Sequence, residues 1–254
     1  MIKRECLLGC DLDGVVVDDV PLMMKILKAK FPEKYGSVSE GDLNLLSPIR
    51  NLDRYPELPT DRIEFLKDSR YIRDLSPCAG VLTGVPLVRI FCDRMYLISA
   101  RWTNQGDSIE QLFQEWGLSG HFDAKFLRGV NSKESALEAK LRNAQREGIT
   151  HMVEDDPGIA LAFAEAGMEG VALIINCPEK NVVPNGPNLK KFRSFHDFAM
   201  DVVNHRSVRA VFEQYEPGER DKIHQPDPLC LDPCGLRKIC IVSGQAAFSL
   251  LDPS

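Results

Sequence analysis

Leu7 to Asp19 reads LLGCDLDGVVVDD, an apolar run cut by Asp11-Leu12-Asp13-Gly14 and resumed at once by Val15 to Val17. A short apolar run bounded by a turn is the pattern of a strand buried on both faces. Two carboxylates at the mouth of such a strand either cap a turn or hold a cation and do chemistry. As chemical groups, Asp11 would be a nucleophile and Asp13 a general acid and base around a divalent ion. Mg²⁺, a hard oxygen-seeking ion, would remove the repulsion between two such close acids. Gly14 allows the backbone to turn sharply after the strand.

The same strand-then-polar pattern recurs downstream. RMYLIS precedes Ala100, HMV precedes Glu154, and VALIIN follows Gly170. Amphipathic helical segments lie between them. In DSIEQLFQEWGL, Ile109, Leu112, Phe113 and Trp116 recur at helical spacing, with Asp107 or Ser108 as the expected cap and Gly117 as the stop. KESALEAKLRNAQREG places Leu137 and Leu141 on one face, and PGIALAFAEAG has Pro157 in its first turn and Gly167 past its end. Strands alternating with helices predict an α/β fold, a Rossmann-like doubly wound parallel sheet with right-handed crossovers. Ligands of such a sheet bind beyond the carboxyl ends of its strands, where Asp11, Ser99 and Glu154 to Asp156 all fall.

The acids of VEDDPG have two uses. Glu154 and Asp155 fit a cation shared with Asp11, while Asp156 before Pro157 fits a helix N-cap. Ser99 offers a hydroxyl and nearby backbone N–H groups to a phosphate oxygen. Lys133 in NSKESAL is the expected partner of Asp11 and of a transferred phosphoryl group, with Lys125 as its rival. Arg101 and Trp102 follow Ser99, where a guanidinium could reach phosphate and an indole could stack on a base.

CDLDGV, LISAR, SKESAL and VEDDPGIALAFAEAGM, in that order within roughly the first 180 residues, resemble the four motifs of the haloacid dehalogenase (HAD) superfamily of phosphatases and related hydrolases. The resemblance implies Asp11 as nucleophile, Asp13 as acid and base, and Ser99 and Lys133 as further catalytic groups. It implies phosphate binding by Ser99, Ala100, Arg101 and Lys133, and Mg²⁺ held by Asp11, the Asp13 backbone carbonyl and Asp155 with Glu154 close by. The segment RYIRDLSPCAGVLTGVPLV is similar to the 5'-nucleotidase and deoxyribonucleotidase branch, which implies a nucleoside monophosphate as substrate. Phosphomutase, phosphonatase or dehalogenase chemistry, and a non-catalytic binder of phosphorylated metabolites, are the alternatives on such a scaffold.

The long gap between the first two motifs predicts a small helical cap over residues 19–79, inserted between core segments 1–18 and 80–205. Asp61 and Glu64 in this stretch suit a capping box. Residues 206–254 read as an irregular, proline-rich extension. His224, Cys230, Cys234 and Cys240 in it could take zinc, but the spacing lacks a Cys-x-x-Cys pair.

At 254 residues and 44% hydrophobic, the chain can bury one sizeable core. Its formal charge of −6 gives no basic excess for a nucleic-acid polymer. No run reaches the roughly 18 apolar residues of a membrane span, and the start is too short for a signal peptide. Eight scattered cysteines without an export signal read as reduced thiols. Cys6, Cys10, Cys92 and Cys177 sit in apolar runs as small hydrophobes. These features are those expected of a cytoplasmic protein, and the resemblance implies a small phosphorylated substrate as its partner.

Overall fold

The apolar run before Asp11 forms strand β1 (Leu7–Cys10) in the computed structural model, which describes residues 5–38, 57–175 and 188–213. β4 (Arg94–Trp102) and β6 (His151–Glu154) run parallel to β1 on its two sides. β5 (Ala124–Arg128) lies beyond β4, and β7 (Gly170–Ile174) and β8 (Leu189–Phe192) lie beyond β6. The sheet order is β5-β4-β1-β6-β7-β8, and every pairing is parallel. The chain therefore builds outward from β1 on one side, then crosses back to build the other, which is the doubly wound arrangement. Its crevice opens beyond the carboxyl ends of β1 and β6, where the winding reverses. Leu8, Cys10, Met95, Leu97, Met152, Val153, Val171 and Leu173 are fully buried, as covering both faces of a parallel sheet requires.

Helix α5 (Gly106–Glu115) buries Ile109, Leu112 and Phe113, as its spacing predicts. It starts one residue before Asp107, which lies in the first turn rather than capping it. Helix α6 (Ala136–Glu147) is held by a capping box. Ser135 Oγ accepts from the Glu138 N–H at 3.2 Å, and the Glu138 carboxylate accepts from the Ser135 N–H at 2.7 Å. Its buried face is Ala139, Lys140, Asn143 and Ala144. Leu137 and Leu141, the face expected from hydrophobicity, are only half-buried. Helix α7 (Pro157–Glu165) is capped by Asp156, whose Oδ1 accepts from the N–H groups of Gly158 and Ile159 at 2.8 and 3.1 Å.

The insertion is closed at its base by an antiparallel pair, β2 (Val17–Asp18) with β3 (Ser76–Pro77). Above that ribbon lie α1 (Val20–Lys30), α2 (Pro32–Tyr35), α3 (Leu58–Lys67) and a 3₁₀ segment over Ser69–Asp74. Met23, Leu27, Tyr35, Leu58, Phe65 and Ile72 of this insertion are buried in one apolar cluster with Leu8, Cys10 and Leu97 of the sheet. The insertion thus continues the sheet's core rather than forming a satellite beside it.

Helix α4 (Val81–Ile90) returns the chain to the sheet and packs against α8 (Phe195–His205). Arg206 ends α8 in a left-handed conformation (φ 53°), and α9 (Val208–Glu213) follows. Val208 and Val211, past the boundary expected at residue 206, are fully buried in the main cluster, so the body continues through this helix. His224, Cys230, Cys234, Cys240 and Cys177 lie outside the described residues. Cys6, Cys10, Cys78 and Cys92 carry free thiols. Among the described residues, no helix is long and apolar enough to cross a membrane.

Candidate active site

Asp11 leaves β1 with its N–H bonded to the Val153 carbonyl at 2.9 Å, so its position is fixed by the β1–β6 ladder. The chain then folds back tightly. Val16 and Val17 both donate to the Leu12 carbonyl, and Gly14 donates to Val17. Gly14 has φ +77°, and a Cβ there would lie 2.1 Å from Asp155 Oδ2. The absent side chain therefore serves two ends, the turn and the close approach of Asp155.

Lys140 is the cation beside Asp11. Its Nζ lies 2.8 Å from Asp11 Oδ2 and 2.8 Å from Glu154 Oε2, and all three side chains are almost wholly buried. Lys133, the residue expected in this role, is exposed in the turn before α6. Lys125 is engaged by Glu110. α6 buries Ala139, Lys140, Asn143 and Ala144 on one face, which carries Lys140 rather than Lys133 to Asp11. Burial works against the Lys140 charge, but Asp11 and Glu154 outweigh it and hold its pKa above the ordinary value.

Glu154 Oε1 accepts from the N–H groups of Asp155 and Asp156 at 3.1 and 3.2 Å. It thus pins the acidic turn to the end of β6 while its other oxygen holds Lys140. Oxygens of Asp11, Glu154 and Asp155 lie within 4.8 Å of one another. Burial, then the Glu154 charge, push the Asp11 carboxyl well above the usual range, with Lys140 opposing. To be ionised, Asp11 needs more positive charge than Lys140 supplies. Asp11, Asp13, Asp19, Glu154 and Asp155 face Arg62, Arg101 and Lys140, so with every acid ionised two negative charges would remain for a divalent cation to balance. The all-oxygen donor set suits Mg²⁺.

Asp13 is gripped by Arg101. Nε lies 3.1 and 3.0 Å from the two carboxylate oxygens, and Nη2 lies 2.7 Å from Oδ1. Burial would raise the Asp13 carboxyl, but the charge and hydrogen bonds of Arg101 hold it below its ordinary value. Arg101 also donates to the Leu66 carbonyl at 3.4 Å. Its guanidinium is therefore occupied by an acid and by the insertion, rather than lying open to a phosphate as expected.

Ser99 is buried, with its Oγ accepting from the Arg101 N–H at 3.1 Å. β4 does not end at Ser99, but its pairing with β5 lapses between Ile98 and Trp102, so Ser99, half-buried Ala100 and Arg101 leave the ladder. Trp102 has the Arg128 guanidinium over its ring at 4.6 Å. Asp19 and Arg62 were not foreseen as site residues. Asp19 is 2% exposed, and its Oδ2 lies 3.5 Å from Arg62 Nη2.

The sequence matches no family model and no curated protein. Solved structures do match. A predicted phosphatase from Clostridium acetobutylicum superposes with a TM-score of 0.60 at 13% identity, covering 80% of this chain and 100% of its own. A conserved haloacid dehalogenase-like protein from Agrobacterium tumefaciens gives 0.57 at 16%, covering 79% and 99%. A haloacid dehalogenase-like family hydrolase from Streptococcus pneumoniae gives 0.54 at 12%, covering 79% and 98%. The fold is the HAD fold. Within it, the places named from the motifs of this sequence converge at one sheet edge, save that Lys140 stands where Lys133 was expected.

Proposed function

We propose that the protein is a Mg²⁺-dependent phosphatase of the HAD type, acting on a small phosphorylated metabolite. The observation that carries this reading is the buried triad Asp11–Lys140–Glu154, set beside Asp155 at the end of β1. Asp11, Asp155 and the Asp13 carbonyl would hold Mg²⁺, which when bound supplies positive charge to the phosphoryl oxygens. Asp11 attacks phosphorus in line, forming an aspartyl-phosphate as the ester oxygen departs. Asp13 protonates that oxygen and then takes a proton from the water that hydrolyses the intermediate. For the first step Asp13 must carry a proton, so the Arg101 contact has to loosen as substrate enters, with the phosphoryl oxygens competing for the guanidinium. Ser99, the Ala100 backbone and Lys140 orient the phosphoryl group, and Lys140 and Glu154 keep Asp11 aimed.

The resemblance of residues 70–88 to the nucleotidase branch puts a nucleoside monophosphate among the substrates to test, with Trp102 as its stacking surface. Phosphate release from a panel of esters, measured with Mg²⁺ and with EDTA, tests the reading. Asp11→Asn is expected to abolish release while its circular dichroism matches the parent. Metal-independent release, or full activity in that variant, overturns it.

A further inference from the structure

The phosphoryl chemistry proposed above gives one cation of the site, Arg62, no role toward substrate. Arg62 projects from α3, the helix whose Leu66 carbonyl is fixed to the end of β4 by Gln105 at 2.7 Å and by Arg101. Arg62 Nη2 reaches to 3.5 Å from Asp19 Oδ2, and its charge also interacts with Asp13 and Asp155. It therefore lies on the insertion side of the catalytic acids. Arg62 Nε and Asp19 Oδ2 are both closed off from solvent, and neither has a hydrogen-bond partner among the described residues. A guanidinium carries five N–H groups in a planar fork matched to carboxylate or phosphate, and an ion pair at 3.5 Å satisfies little of that capacity.

The reaction direction says what would fill it. Asp13 must reach the leaving oxygen, so the leaving group lies on the Asp13 side of the phosphorus, away from β1 and toward α3. Arg62 stands at that side. Resting on the phosphatase reading, we propose that Arg62 selects substrates whose leaving group carries a second anion, a carboxylate or a further phosphate. Asp19 holds the guanidinium in place until that anion arrives. A neutral nucleoside or sugar offers that fork no charged partner. The rival explanation is a clamp, in which Arg62 and Asp19 simply tie the insertion to the sheet.

Steady-state kinetics with Mg²⁺ separate them. The probes are p-nitrophenyl phosphate, phosphorylated hydroxy acids, sugar bisphosphates and nucleoside monophosphates. The wild type is expected to favour the hydroxy acids or the bisphosphates over nucleotides by about tenfold or more in kcat/KM, the selectivity a charge-assisted pair provides. In Arg62→Ala, the ratio of kcat/KM for the favoured anionic ester to that for p-nitrophenyl phosphate falls at least about tenfold, mostly through KM, and Arg62→Lys recovers part of it. Whichever class loses most identifies the anion as carboxylate or phosphate. Should Arg62→Ala fail to fold, Arg62→Gln carries the same comparison. An equal loss on every ester overturns the proposal in favour of the clamp, and so does a wild type that prefers nucleotides. Both leave the phosphatase reading standing. A wild type that releases phosphate from no ester removes both.

Discussion

Lys140 serves two buried carboxylates at once, so its loss would leave Asp11 and Glu154 facing each other without a counter-ion. Removing one member of a buried charge network costs about 3–5 kcal/mol, because the remaining charges stay desolvated. Lys140→Met keeps the stem and removes the ammonium. It is expected to lower stability toward that range and to abolish phosphate release, whereas Lys133→Ala, altered at an exposed position, leaves kcat/KM within about twofold. Urea denaturation and phosphate release from one ester measure both. An inactive Lys133→Ala beside an active Lys140→Met would return the role to Lys133. The contrast also marks where residue-level reading stops. Asp11, Asp13, Glu154 and Asp155 are legible because each interrupts an apolar run with an acid that burial alone disfavours. Lys140 sits in a polar, charged helix where lysine ordinarily faces water, and only the packing of α6 turns it inward.

Gln105 ties the insertion to the end of β4 through one hydrogen bond to each. Its Nε2 donates to the Leu66 carbonyl at 2.7 Å and its Oε1 accepts from the Trp102 N–H at 3.2 Å, with the residue wholly buried. Gln105→Leu fills the volume but orphans the Trp102 N–H and leaves the Leu66 carbonyl only the longer Arg101 contact, at about 1–3 kcal/mol for a buried group left unmade. The expected result is local: faster hydrogen exchange for the amides of α3, with those of β1 and β6 unchanged. Uniform acceleration across the sheet would show that α3 has no separate opening. Helices α5, α6 and α7 were readable from periodicity, caps and stops, since those signals are local. The α6 face was misassigned because a helix packing closely on a sheet selects small residues, which hydrophobicity ranks low. The Gln105–Leu66 contact spans 39 residues and carries no local signature.

At the scale of the whole molecule, the parallel sheet and its active edge follow from the alternation of buried runs and helices, so the convergence of distant acids was predictable. The continuity of one apolar cluster through the insertion and on to Val211 was not, because it depends on which surfaces meet. The pH response of the fold rests on such a meeting. His151 of β6 is fully buried, with Nδ1 2.8 Å from Thr150 Oγ1, the Phe212 ring beside it, and Nε2 without a hydrogen-bond partner among the described residues. Burial, then the positive charge of Arg209, push its pKa from 6.5 down to about 4. Above the unfolded value both states are neutral, and His151 adds no pH dependence. As pH falls from 6.5 toward 4, the unfolded chain takes a proton that the folded one refuses, so stability declines across that window and levels off below it. At about 1.4 kcal/mol per unit, the decline by pH 4.5 is about 2–3 kcal/mol. His151→Gln removes the titrating group, so between pH 7.5 and 4.5 it should lose about that much less than the parent in urea unfolding. The carboxylates that titrate in the same range are common to both proteins and cancel in the comparison. Identical losses would mean that His151 is protonated in the native state at pH 4.5, and that Phe212 and Arg209 do not seal it from water.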